Sequence, residues 1–316
     1  MANNKTKQLT QGAMMAAIFT VLAAASVYVP VLNMVTMLFL ALPVAWYSAK
    51  YGTRASLLFS AAATLLTFII GGLPALPLAL AYVPLGLAIG LSIHQKKSKL
   101  FLFLASALVL LASVIVQYAA AVLFLGVNVF EQYLVQAKTL GEEFGRQAEE
   151  LGRLPEGYDE RLAEWLFTIE ALLPFWLILT VFLLNWLVLL VNLPLLRRLD
   201  VPVPKFPPFR NMKLPKSILW YYLVVLLAPY LFSPELGTMT YMAFLNASVL
   251  LQVLLFLQGI SFYHFYIYQQ GWPKWAAILA TVLALPLAGF TVIVGIIDLG
   301  FNVRGWVEQA NKPDRK

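Results

Sequence analysis

Glu170, Asp298, His94 and His264 are the side chains in or beside apolar segments that could carry proton or ion chemistry. An ionisable group inside a membrane segment is costly, so it counts as a functional hypothesis by default. Glu170 lies at the outer end of one apolar run and Asp298 at the end of the last, both near interfaces where the cost is small. Arg304 follows Asp298 by six positions (298 to 304) and would not share its face on a continuous helix. His94 stands beside a basic loop. His264 belongs to the aromatic run 262–266, which interfacial anchoring explains without a ligand. Two isolated carboxylates do not make an acid–base pair. No Gly-xxxx-Gly-Lys-Ser/Thr phosphate loop and no His-Glu-xx-His zinc pair occurs. Without cysteine there is no thiolate, disulfide or Cys-bound metal. The expectation is a protein that is not an enzyme, with no catalytic residue, metal or cofactor of its own.

Two other sets of residues suit binding. Tyr82, Gln117, Tyr118, Asn128, Glu170 and Trp176 fall in the outer halves of the fourth to sixth apolar runs or beside them. A small-molecule site is mostly apolar with a few placed hydrogen-bonding groups, which these could supply. Aromatic anchoring and interhelical hydrogen bonds would explain them equally well. In the first run, Gly12, Ala13, Ala16 and Ala17 set small residues four apart, a spacing that lets another helix approach closely. That helix could belong to a partner or to the same bundle.

The elements that must position these residues are apolar helices. Hydrophobic residues make up 61% of the chain and charged ones 12%, about half the charge of a soluble domain. Nine apolar runs stand out, at 9–29, 33–49, 55–70, 76–93, 100–127, 167–196, 217–232, 239–268 and 275–297. A spanning helix needs roughly 20 such residues, and these runs are too continuous for barrel strands. The expected fold is therefore all-α, a polytopic helical bundle. The first run follows Lys5 and Lys7 and resembles a signal peptide loosely, but its length and continuation favour a retained helix.

Charge sets the orientation. Ten of the fifteen acidic residues lie between Glu131 and Glu170. Lys50, Arg54, Lys96, Lys97, Lys99, Arg197, Arg198, Lys205, Arg210, Lys213 and Lys216 fall in the loops on the other side of a regular in–out count. The positive-inside rule then puts the N-terminus in the cytoplasm and the acidic stretch outside. The net charge of +7 belongs to the cytoplasmic face and its lipids rather than to a nucleic-acid site. The chain divides into a six-helix module at 1–196, with an external helical insertion at 128–166, and a basic Pro-rich linker at 197–216. A C-terminal module of about three helices follows at 217–303, then a basic tail at 304–316. The five prolines at 202, 204, 207, 208 and 215 predict an extended linker.

Two points stay open in the sequence. Nine crossings would leave the basic tail outside, so a break in 239–268, near Gln258-Gly259, or in 275–297, near Pro286 and Gly289, would change the parity. Eight, nine or ten crossings are compatible with the pattern. In the insertion, Phe130, Tyr133, Ala137, Leu140, Phe144, Ala148 and Leu151 form one apolar stripe of an amphipathic helix. Leu154-Pro155-Glu156-Gly157 turns the chain, and a second polar helix starts at Asp159. This hairpin would either lie on lipid or cap an outward-facing pocket.

The opening Thr10-Gln11-Gly12-Ala13-Met14-Met15-Ala16-Ala17, the turn at Pro30, Pro43, Tyr51-Gly52 and Gly71-Gly72 resemble the substrate-binding S component of energy-coupling-factor (ECF) vitamin transporters over residues 8–200. The whole chain, with Gln258-Gly259 and Asp298-Leu299-Gly300-Phe301-Asn302-Val303-Arg304, resembles the YybS-like family of uncharacterised bacterial membrane proteins. The first resemblance implies a small molecule held in an outward-facing pocket of helices four to six. It also implies a transmembrane coupling protein with ATPases that packs against helix one. The charged insertion and the C-terminal module depart from that pattern. A membrane scaffold that docks partners through its helices and basic linker is the alternative.

Overall fold

The computed structural model describes residues 2–204, 208–301 and 303–310, the side chains from residue 5 on. Among them there is no strand. The helices are α1 (Ala2–Tyr28), α2 (Pro30–Phe39), α3 (Ala41–His94), α4 (Lys99–Leu125), α5 (Val129–Glu150), α6 (Tyr158–Ala171), α7 (Leu173–Arg198), α8 (Ser217–Phe232), α9 (Met239–Gln269), α10 (Lys274–Ala284), α11 (Ala288–Gly300) and α12 (Val303–Ala310). By length and composition five helical stretches of the described residues can cross a membrane, one of them the long 30–94 stretch, or six if the bent pair α10–α11 counts as one span. The chain forms two compact units, Met1–Val135 with Leu177–Phe206, and Gln136–Trp176 with Pro207–Lys316. Lys205, expected in the linker, lies outside the described residues.

In the first unit the apolar runs fold back on one another at two glycines. Gly52 (φ +72°) and Gly72 (φ +67°) interrupt α3 in a left-handed conformation that residues with a Cβ rarely adopt. They cut it into 41–51, 53–71 and 73–94. The two later pieces hold 19 and 22 residues, about 28 and 33 Å of helix, each enough for a bilayer core. His94 closes the first break, its Nδ1 lying 2.9 Å from the Ala49 carbonyl. The basic-loop histidine thus has a structural partner. The expected outer turn at 30–32 is shorter than the sequence suggested. Pro30 already starts α2, because its fixed φ suits the first helical turn.

Small residues set the packing. A Cβ on Gly90 would lie 2.6 Å from Ser48 Cβ and would strike the Ala45 carbonyl, so 73–94 runs directly against 41–51. Between them and α1 the core fills with Phe19, Leu40, Leu85 and Ile89, all fully buried. Buried asparagines on α7 tie it in. Asn192 Nδ2 donates to the Leu38 carbonyl at 2.6 Å and Asn185 Nδ2 to that of Phe103 at 3.1 Å. Where a helix faces lipid, such hydrogen bonds replace the hydrophobic drive between helices.

The second unit contains the hairpin α5–α6, from residue 136 on, together with α8 to α12. α5 is amphipathic as expected. Its glycines, which weaken an isolated helix, have a packing reason: Gly141 and Gly145 let Leu162 and Tyr158 of α6 sit against its backbone. Tyr158 Oη donates to the Gly141 carbonyl at 2.7 Å. Apart from a ring contact of Phe144 with Tyr158, the large side chains of the apolar stripe do not serve this contact. Leu140, Phe144 and Leu151 are 60–70% exposed. α6 ends at Ala171, and Asn246 of α9 binds the joint to α7, donating to the Ala171 carbonyl at 2.7 Å and accepting from the Phe175 amide at 2.8 Å. α8 and α9 form an antiparallel hairpin, with Phe232 stacked on Phe244. α9 and α11 approach until backbones touch. A Cβ on Gly295 would collide with the Leu255 carbonyl, and one on Gly259 with that of Thr291.

Of the two runs in which a break would change the crossing parity, the last one is broken. α10 and α11 are bent by 115° between Ala284 and Ala288, at Pro286. α9 continues unbroken through Gln258-Gly259.

Candidate functional site

The densest polar centre of the described residues is in the second unit, and sequence reasoning had dismissed its parts. α11 stops at Gly300, Phe301 is extended, and α12 begins at Val303. The interruption carries Arg304 back onto Asp298, so the separation that forbids a pair on one helix permits it here. Arg304 Nε lies 3.0 Å from both carboxylate oxygens and Nη2 2.7 Å from Oδ2. The Asp298 side chain is 1% exposed and that of Arg304 10%, so the pair is buried rather than interfacial as expected. Gln258 Nε2 donates a short hydrogen bond to Asp298 Oδ2. The remaining guanidinium donors reach Ser261 Oγ at 3.2 Å and the Arg210 carbonyl at 2.8 Å.

The same centre grips the linker. Gln258 Oε1 accepts from the Leu214 amide at 2.9 Å, and Ser261 Oγ lies within 3.0 Å of the Phe209 and Met212 carbonyls. The expected extended linker contains one 3-10 turn, Phe209–Asn211, at this point. Arg210 stacks 3.7 Å above the Tyr268 ring, and Phe209 meets the His264 ring edge-on. His264 Nε2 itself lies 2.8 Å from Thr281 Oγ1. Backbone groups that leave a helix need partners when they are buried, and these side chains supply them.

In the first unit, α1 has two faces. Gly12 packs against the Tyr47 ring and Ala16 is 3% exposed, so both belong to the internal bundle. Ala13 and Ala17 are exposed. Ala17 borders an open groove of about 470 Å³ lined also by Val21, Ala24, Tyr28, Leu66 and Ile70. Thr20, hydrogen-bonded to Thr67 at 3.4 Å, joins α1 to 53–71 along this groove.

The six residues expected around a ligand do not form one described cluster. Tyr82, Gln117, Tyr118 and Asn128 belong to the first unit, Glu170 and Trp176 to the second. Tyr118 Oη donates to Asn128 Oδ1 at 2.9 Å, and the same oxygen accepts from the Glu131 amide at the start of α5. Tyr82 is 2% exposed, and its hydroxyl has no hydrogen-bond partner. Gln117 is partly buried; Glu170 and Trp176 are exposed.

An all-α multi-pass membrane protein with buried polar contacts between its helices is the class that these features define. Residues 17–299 match the family described as "Predicted membrane protein (DUF2232)", and the chain belongs to that family. It is 28% identical to the "Uncharacterized protein YybS" of Bacillus subtilis (strain 168) over 310 residues, 96% of this chain and 99% of that protein. No solved structure matches.

Proposed function

We propose that the protein works by association within the membrane and carries out no covalent chemistry. In this reading α1 docks a second transmembrane chain, and the first unit helps to capture or move a small molecule in the manner of an ECF S component, with any ATPase supplied by partners. Its N-terminus and basic linker face the cytoplasm of a bacterial cell. The two-sidedness of α1 carries the reading. Gly12 and Ala16 are used up inside the bundle, while Ala13 and Ala17 stay exposed, Ala17 beside a groove. Close helix approach needs small residues of this kind. The small-molecule part draws on the unpartnered, buried hydroxyl of Tyr82. A scaffold that docks soluble partners through exposed Lys213 and Lys216 is the second reading.

Ala17→Trp and Ala16→Trp test it together. Ala17→Trp should leave the thermal melt in mild detergent unchanged and reduce recovery of a co-purifying membrane chain at least about tenfold, a change of ~1.4 kcal/mol in association. Ala16→Trp should lower the melt itself, because Ala16 is buried in the bundle core. An Ala17→Trp protein that unfolds, or that keeps its full complement of partners, overturns the docking role. Tyr82→Phe should release any small molecule seen by native mass spectrometry; retention of that molecule removes Tyr82 from the site.

A further inference from the structure

We infer that α10 and α11 form a re-entrant element, which enters and leaves the membrane on the linker's side, and that Asp298–Arg304 is the lock that turns the chain back. Three contacts place both ends of the element beside the linker. α9 ends at Gln269, next to Tyr268, on which Arg210 stacks. At the other end a Cβ on Gly300 would lie 3.6 Å from Leu219 Cδ1, in the first turn of α8. Arg304, at the start of α12, donates to the Arg210 carbonyl itself. A ninth full crossing would carry α12 to the far side, away from the linker.

The consequence is eight crossings: α1; α2 with 41–51; 53–71; 73–94; α4; α7; α8; and α9. The tail then lies on the same side as the N-terminus, and its basic residues agree with the positive-inside rule. The lock has a second task. The linker is the strap along which the chain passes from the first unit to the second, and at 209–214 it is held by Gln258, Ser261 and Arg304. Asp298 fixes two of those three, through the Gln258 amide and the guanidinium. Buried pairs earn their place only with good geometry and further hydrogen bonds, and here the carboxylate is ringed by donors. Arg304 also stands near the C-terminal end of α11, where a cation is favoured. Loss of the pair therefore frees the strap and α12 together.

The absence of native cysteine permits single probes at Asn211, Glu308 and Gly157 in the full chain. With an impermeant thiol reagent on intact cells, 211 and 308 should behave alike and opposite to 157. Glu308 labelling in step with Gly157 overturns the re-entrant reading. For the lock, the Asn211 probe is followed in open membrane fragments. Arg304→Gln, and Asp298→Asn with Arg304→Gln in case the single change does not fold, should raise its labelling rate at least about tenfold. Ser217 at the exposed start of α8 serves as a probe that should not change. An Asn211 rate within twofold of the parent in the folded double variant overturns the lock.

Discussion

Gly295→Leu should abolish the native fold of the second unit, while Gly289→Leu on the same helix should melt as the parent does. At Gly295 a Cβ would overlap the Leu255 carbonyl and lie 3.1 Å from the Gly259 amide nitrogen. The obstacles are backbone, so no rotamer change relieves them. At Gly289 nothing lies within 4 Å. Overpacking of a tight contact costs about 1–3 kcal/mol when side chains can shift and more when they cannot. α11 would have to leave α9, and the Asp298 centre would go with it. Thermal melting of both variants in detergent checks the contrast, and equal melts would show that α9 and α11 do not cross at these glycines.

Asn192→Asp should be the most damaging single polar change in the first unit. The Asn192 amide nitrogen donates to the carbonyls of Leu38 at 2.6 Å and Val188 at 2.7 Å, and its own Oδ1 has no partner. A carboxylate there would face two acceptors with no donor and no cation. Uncompensated buried charges cost about 3–5 kcal/mol. Asn192→Leu also loses the bond to α2 but adds no charge, so roughly 1–3 kcal/mol is expected from the unsatisfied carbonyl. A melt series of parent, Leu and Asp should fall in that order. A stable Asp variant would mean that water reaches the 38–192 contact.

Hydropathy suffices for much of this architecture because lipid imposes a simple rule. Apolar runs must be helices. The amphipathic period of α5 was readable for the same reason: it depends on neighbours three and four apart. The Asp298–Arg304 pair was not readable, because the argument against it assumed a helix that continues. What breaks α11 is the local Gly300-Phe301 conformation. The grip of Gln258 and Ser261 on the linker joins residues some fifty positions apart, which no periodicity records. Gln258-Gly259 in an overlong apolar run was the available sign. The four small residues of α1 show the limit differently. Their spacing permits either packing or docking, and only burial separates Gly12 and Ala16 from Ala13 and Ala17.

Photo-crosslinking from positions 13 and 17 of α1 in native membranes tests the docking claim most directly. Leu108, 56% exposed on α4, provides a lipid-facing control. Positions 13 and 17 should each give one discrete protein adduct, absent at 108 and lost when Val21→Trp fills the same groove. Lipid adducts alone at all three positions, or a protein adduct that Val21→Trp leaves intact, would contradict a partner helix on this face.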